Sequence, residues 1–158
     1  MSTFFKFCLT QKYVPENPVI NLPQYKVKKT RGTAATLSAV KVEKFMHWLE
    51  SYRGIQNKDG SWWGDQGCMV PYFALTFFAG IRPDWRDGEI SKLSEKDIRL
   101  DTSVILIEPR VSKSHEKRSI MIQPNLELWL RKYPIADYPI ITPHRFYDLL
   151  ADVRSRYV

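Results

Sequence analysis

Apolar residues recur along this chain at two spacings, and the change from one to the other separates helices from strands. After Ser38, the residues Val42, Phe45, Met46, Leu49 and Tyr52 return every three or four positions until Gly54. That is the stripe of a helix with one buried face, capped by Ser38 and closed by the glycine. Phe4, Phe5, Cys8 and Leu9 predict a shorter helix over 3–12, ended by Tyr13-Val14-Pro15-Glu16-Asn17-Pro18. Residues 69–79 are apolar almost throughout and predict a fully buried helix. Beyond them the period drops to two: Val104 and Leu106, then Ile120 and Ile122, mark the faces of strands over 103–108 and 117–123. A first strand covers 97–100, with Asp101-Thr102 as the turn into the second. Leu126, Trp129 and Leu130 share one face of a helix that starts at Pro124-Asn125. Phe146, Leu149, Leu150, Val153 and Tyr157 line a last helix with Thr142 as cap and Pro143 at its first position. Residues 54–67, punctuated by Gly54, Gly60, Gly64 and Gly67, read as a loop anchored by Trp62-Trp63. Residues 84–88 read as a second loop, leading into a short helical return over 89–93. Together these elements predict an α+β fold, mainly helical, with a small three-stranded antiparallel sheet.

Periodicity fails between Leu22 and Thr36, where Lys26, Lys28, Lys29 and Arg31 occur with no acidic residue among them. This basic stretch is either a solvated connection or a segment that tracks a nucleic-acid backbone. The domain reading that follows is a residual last helix of a preceding domain over 1–17, a basic linker over 18–36 and a partial domain over 37–158. Composition agrees with one packed core: 158 residues, 44% of them hydrophobic, exceed what a disordered chain would carry. A formal charge of +7 favours polyanionic partners, nucleic acid first. Cys8 and Cys68 have apolar neighbours and no CxxC spacing, so both read as reduced, buried thiols of a cytoplasmic protein. The longest apolar run is too short to span a bilayer and contains Pro71, which argues against a membrane partner.

Several chemistries find no support in the motifs. His47, His115 and His144 are scattered with no partner at zinc spacing, so no metal is expected. No GxGxxG, GxxxxGK[ST] or GxSxG sequence occurs, and no cofactor is expected. Arg82 is different, because it follows a run of aromatic and aliphatic residues where an unpartnered charge is costly. Pro83 stops the preceding helix just beyond it. A planar fork of donors there suits either a phosphate or an ion pair with Glu89, and the residues alone leave both open. Lys113 lies on the turn between two strands, flanked by Arg110, His115, Lys117 and Arg118. It is either a charged hairpin tip that keeps the sheet soluble or an ammonium placed to protonate a leaving oxygen.

The order Ala74-Leu75-Thr76-Phe77-Phe78-Ala79-Gly80-Ile81-Arg82-Pro83, Gly88-Glu89-Ile90-Ser91-Lys92-Leu93, Asp97-Ile98-Arg99-Leu100, Ser112-Lys113-Ser114 and Gln123-Pro124-Asn125-Leu126 resembles the tyrosine recombinases, the phage integrase family. The resemblance covers nearly the whole chain: 2–17 resembles the end of the core-binding domain, 18–36 the interdomain linker and the rest the first part of the catalytic domain. It implies DNA strand cleavage and rejoining, for integration or other site-specific recombination, through a 3'-phosphotyrosyl intermediate and without metal or cofactor. By motif position Arg82 would be the first family arginine, Glu89 its acidic support and Lys113 the hairpin lysine. DNA contacts are expected from Lys26, Lys28, Lys29, Arg31, Arg110, His115, Lys117 and Arg118. The partner implied is double-stranded DNA, with a second copy or a full-length recombinase beside it.

The chain departs from the family in two places. Asp84-Trp85-Arg86-Asp87-Gly88 lengthens the turn between Arg-Pro and the acidic residue. The His-x-x-Arg box and the nucleophilic tyrosine are expected after the last helix, and His144-Arg145 has the wrong spacing for that box. Tyr157, Tyr147 and Tyr138 therefore read as structural. The resemblance implies a truncated recombinase that binds DNA weakly and does not cleave it alone, with uncovered apolar surface favouring self-association. A DNA-binding or regulatory module derived from a recombinase is the alternative, and a basic interaction protein unrelated to DNA is a third reading.

Overall fold

The computed structural model describes residues 3–19, 37–112 and 116–157. The chain divides into two compact units, Met1–Thr36 and Leu37–Val158. Among the described residues it is α+β and mainly helical, with six α-helices, a two-stranded and a three-stranded antiparallel sheet. The first unit holds α1 (Thr3–Thr10), two residues shorter than expected. Lys12 turns left-handed with φ 56°, and the Tyr13 amide donates to the Cys8 carbonyl, which closes the helix. Of the expected apolar face, Cys8 is buried, whereas Phe4 remains 64% exposed.

The second unit begins with α2 (Ala39–Ser51), whose Ser38 cap accepts a hydrogen bond from the Lys41 amide. Phe45, Met46 and Leu49 are buried as its stripe requires, and Tyr52 is its C-cap. The stretch read as a loop is instead a hairpin of β1 (Ile55–Gln56) and β2 (Trp62–Trp63), with Ile55 opposite Trp63. Strands of two residues leave no alternation to detect, which is why the sequence shows only the glycines. Gly54, at φ 81°, is needed there because a Cβ would overlap the Trp63 carbonyl.

Helix α3 (Val70–Phe78) packs against α2 and against α5 (Pro124–Lys132). It is not buried all round: Val70, Tyr72, Ala74 and Leu75 are buried, whereas Phe73, Phe77 and Phe78 are half-buried. Phe45 covers part of that second face, with ring centroids 4.8 Å from Phe73 and 5.8 Å from Phe77. The single turn α4 (Glu89–Lys92) buries Ile90. A 3-10 turn, Glu95–Asp97, then leads into β3 (Ile98–Arg99), β4 (Val104–Ile107) and β5 (Arg118–Met121), in the spatial order β3-β4-β5.

Register places Ile105 opposite Ile98 and Ile120, and Ile107 opposite Arg118. The buried face of β4 is Ile105 and Ile107, the reverse of the face that Val104 and Leu106 suggested, because all four residues are apolar and give no alternation. Helix α6 (Phe146–Tyr157) begins three residues later than expected. Thr142 donates to the His144 carbonyl and Arg145 is left-handed at φ 54°, so 142–145 forms a turn before the helix. Phe146, Leu149, Leu150 and Val153 complete the core, each such side chain contributing about 2 kcal/mol of burial.

Cys8 and Cys68 are free and buried, and burial pushes the Cys68 thiol up to about 11, which makes it a poor nucleophile. Among the described residues no helix is long and apolar enough to cross a membrane.

Candidate nucleic-acid interface

Arg82 does not sit on the end of a helix. Helix α3 stops at Phe78, and Gly80, left-handed at φ 64°, reverses the chain. The Ile81 amide then reaches back to the Leu75 carbonyl, and the Ile81 side chain, 1% exposed, returns to the core. The glycine, not Pro83, is therefore what ends the helix, and it places Arg82 on a turn that follows a buried anchor. The turn is held by the Asp84 amide donating to the Arg82 carbonyl at 2.8 Å and the Gly88 amide donating to the Asp84 carbonyl at 3.1 Å. From below, the Tyr72 hydroxyl donates to the Pro83 carbonyl at 3.1 Å. Burial raises the Tyr72 phenol above its ordinary value, so it remains a donor. The Arg82 side chain is exposed and, among the described residues, makes no hydrogen bond or ion pair.

Glu89 opens α4 six residues after Pro83, but its carboxylate is held by Arg118 of β5. Two guanidinium nitrogens each donate to one carboxylate oxygen at 2.7 Å. That fork raises the Arg118 guanidinium above its ordinary value. The ion pair between Arg82 and Glu89 that the sequence left open is thus not formed. The other described hairpin cations are also matched with carboxylates. Lys117, exposed, lies 3.3 Å from the half-buried Glu108. Arg110 is bonded to Asp97 and to the Lys92 carbonyl.

Asp97 is the buried one of these carboxylates, with 4% of its side chain exposed. It closes a capping box, accepting from the Ser94 amide and hydroxyl, and it accepts from Arg110 as well. Burial alone would raise its carboxyl, but the Arg110 and Ser94 hydrogen bonds outweigh that and hold it below the usual carboxylate range. A serine three residues before an aspartate is the sequence signal for this cap. The bond across to Arg110 has no such signal.

Lys113 and His115 lie outside the described residues, as do Lys26, Lys28, Lys29 and Arg31. In the chain Lys113 and His115 fall between β4 and β5. Sequence reasoning missed Trp85 and Arg86, whose signal is an aromatic next to an arginine between Pro83 and Gly88. The Arg86 guanidinium stands 5.1 Å from the Trp85 ring centroid, and the Trp85 ring stands 5.9 Å from that of Tyr147.

The tyrosines are placed structurally. The Tyr157 ring packs 4.6 Å from Phe45, and its hydroxyl donates to the Lys41 carbonyl. Tyr138 packs 5.1 Å from Tyr133. His47 is exposed as expected, with Nδ1 2.8 Å from Glu50. Among the described residues no group of three His, Cys, Asp or Glu side chains could hold a metal ion. An apolar cleft of about 570 Å³ opens between α2, α3 and α5, lined in part by Met46, Phe77, Phe78 and Trp129, and neither Arg82 nor Glu89 belongs to it.

Comparison with protein-family models, with curated proteins and with solved structures gave no match. The functional reading rests on the residues and their arrangement.

Proposed function

We propose that the second unit carries the phosphate-holding part of a tyrosine-recombinase-type site and binds the backbone of double-stranded DNA as a cytoplasmic DNA-binding protein. The observation that carries this reading is Arg82: an exposed guanidinium with no acidic partner among the described residues, on a turn pinned from below by Tyr72. Phosphoryl transfer asks a protein mainly for positioned positive charge, and a guanidinium whose backbone is already fixed loses little freedom on binding a phosphate. The element order adds support: α3, Arg82, α4 with Glu89, then an antiparallel sheet whose β4–β5 connection holds Lys113. In this reading Arg82 binds the phosphate, Lys113 supplies the proton for the leaving oxygen, and Glu89 acts indirectly by holding β5 through Arg118.

A DNA-binding module without strand cleavage is the second reading, and the tyrosine placement favours it for the described residues. Tyr157, the tyrosine that ends α6, has its hydroxyl on a backbone carbonyl and its ring against Phe45 rather than beside a cation. Two measurements test the proposal. Fluorescence anisotropy with a labelled duplex over a salt series should show affinity that falls as salt rises, less steeply in Arg82→Ala. Absent or salt-independent binding would overturn it. Incubation with a nicked suicide duplex should leave no covalent adduct. An adduct that survives denaturation would replace the binding module with a strand-cleaving enzyme.

A further inference from the structure

The five residues that lengthen the turn after Arg82 form a built structure. The Arg86 amide donates to the Asp84 carboxylate at 3.3 Å, and the Ser91 hydroxyl donates to the Gly88 carbonyl at 2.8 Å. With the Asp84–Arg82, Gly88–Asp84 and Tyr72–Pro83 hydrogen bonds, nearly every residue of the turn is tied to a neighbour. Gly88 is required for this closure, because a Cβ there would overlap the Asp84 carbonyl. Above the turn, Trp85 rests against Phe146 at 6.0 Å and Tyr147 at 5.9 Å, and its indole carries the Arg86 guanidinium at 5.1 Å. Arg86 is exposed and, like Arg82, forms no ion pair among the described residues.

We infer that Arg82 and Arg86 act together as a two-point clamp on neighbouring backbone phosphates of double-stranded DNA, with Trp85 as the shelf that sets the second guanidinium. This deepens the reading above and rests on it. Four residues span at most about 14 Å, and two arginine side chains from so short a closed turn reach a few consecutive phosphates. Stacking on an indole fixes a guanidinium plane while leaving its N–H edge free to donate, so Arg86 meets a phosphate with little further ordering. The turn also carries Asp84 and Asp87, which cancel its two positive charges in sum. The attraction is therefore directional, from two placed forks, and not a matter of net charge. Asp84 has one oxygen turned onto the Arg86 amide, and Asp87 is exposed.

The test is the salt dependence of affinity for a short labelled duplex, measured by anisotropy on the full chain, with circular dichroism confirming that each variant is folded. Each lost phosphate contact should lower the slope of log affinity against log salt by about 0.9. Arg82→Ala and Arg86→Ala should each show that loss and the double variant about twice it. Arg86→Gln, which keeps side-chain length, should match Arg86→Ala. Trp85→Phe should stay near wild type, and Trp85→Ala should resemble Arg86→Ala without adding to it in the double variant. A slope lowered by Arg82→Ala but untouched by Arg86→Ala and Arg86→Gln would overturn the clamp and leave the proposed function standing. A slope lowered by the Arg86 variants alone would overturn both the pairing and the role given to Arg82. A wild-type chain with no salt-dependent duplex binding would overturn the proposed function itself, and the clamp with it.

Discussion

Arg82 and Arg118 belong to the same unit and the same residue type, yet the fold uses them in opposite ways. Arg118 leaves an edge strand and closes a two-bonded fork on Glu89, so that β5 is tied to α4 across 29 positions of sequence. Arg82 leaves a turn whose backbone is held by amides and by Tyr72, and its guanidinium meets no carboxylate among the described residues. In the first case the side chain makes the structure; in the second the backbone makes the structure and the side chain is left available. Positive charge on this surface is thus of two kinds, and net charge alone does not tell which cations a phosphate can reach. Arg110 belongs with Arg118, because it neutralises the nearly buried Asp97.

Substitutions in the two groups should separate stability from DNA affinity. The largest loss of stability is expected at Asp97. Asp97→Ala removes the capping box and the hydrogen bond to the exposed Arg110, for about 2 kcal/mol by denaturant unfolding, with the salt slope of DNA binding unchanged. The Asp97 carboxyl is lowered in the folded chain, so its contribution is complete above the ordinary carboxylate range and is lost as pH falls through the lowered value. Asp97→Asn should accordingly flatten the acid limb of the stability profile and leave the neutral plateau reduced.

Gly80→Ala should come next, at about 1.5 kcal/mol, because an alanine must adopt the left-handed conformation that the glycine holds at φ 64°. It should also weaken DNA binding, since it moves the turn that carries Arg82. Tyr72→Phe removes the hydroxyl bonded to the Pro83 carbonyl and should cost about 1 kcal/mol, again with some loss of affinity. Arg118→Ala should cost under about 1 kcal/mol, as its side chain is 44% exposed, and should leave the salt slope where it was. Thermal or denaturant unfolding beside anisotropy measures both quantities on each variant.

The sequence made some of this legible and hid the rest for identifiable reasons. Ser38 followed by the stripe from Val42 to Leu49 announces α2, and the three strands lie within the segments read as strands. The buried face of β4 was hidden because Val104, Ile105, Leu106 and Ile107 are all apolar, so only pairing with β3 and β5 decides which pair turns inward. The Asp97–Arg110 and Glu89–Arg118 bonds join residues 13 and 29 positions apart, and no local pattern encodes them. Arg82 was visible as an unusual charge after an apolar run. The path of its turn was not, because that depends on the Tyr72 hydroxyl and the backbone amides that hold residues 82–88.

The most direct test of this account compares Arg82→Ala with Arg118→Ala in one salt series of duplex affinities. The account predicts that Arg82→Ala lowers the slope by about 0.9 while Arg118→Ala leaves it unchanged and lowers only stability. An unchanged slope in Arg82→Ala, or an equal loss of slope in Arg118→Ala, would contradict it.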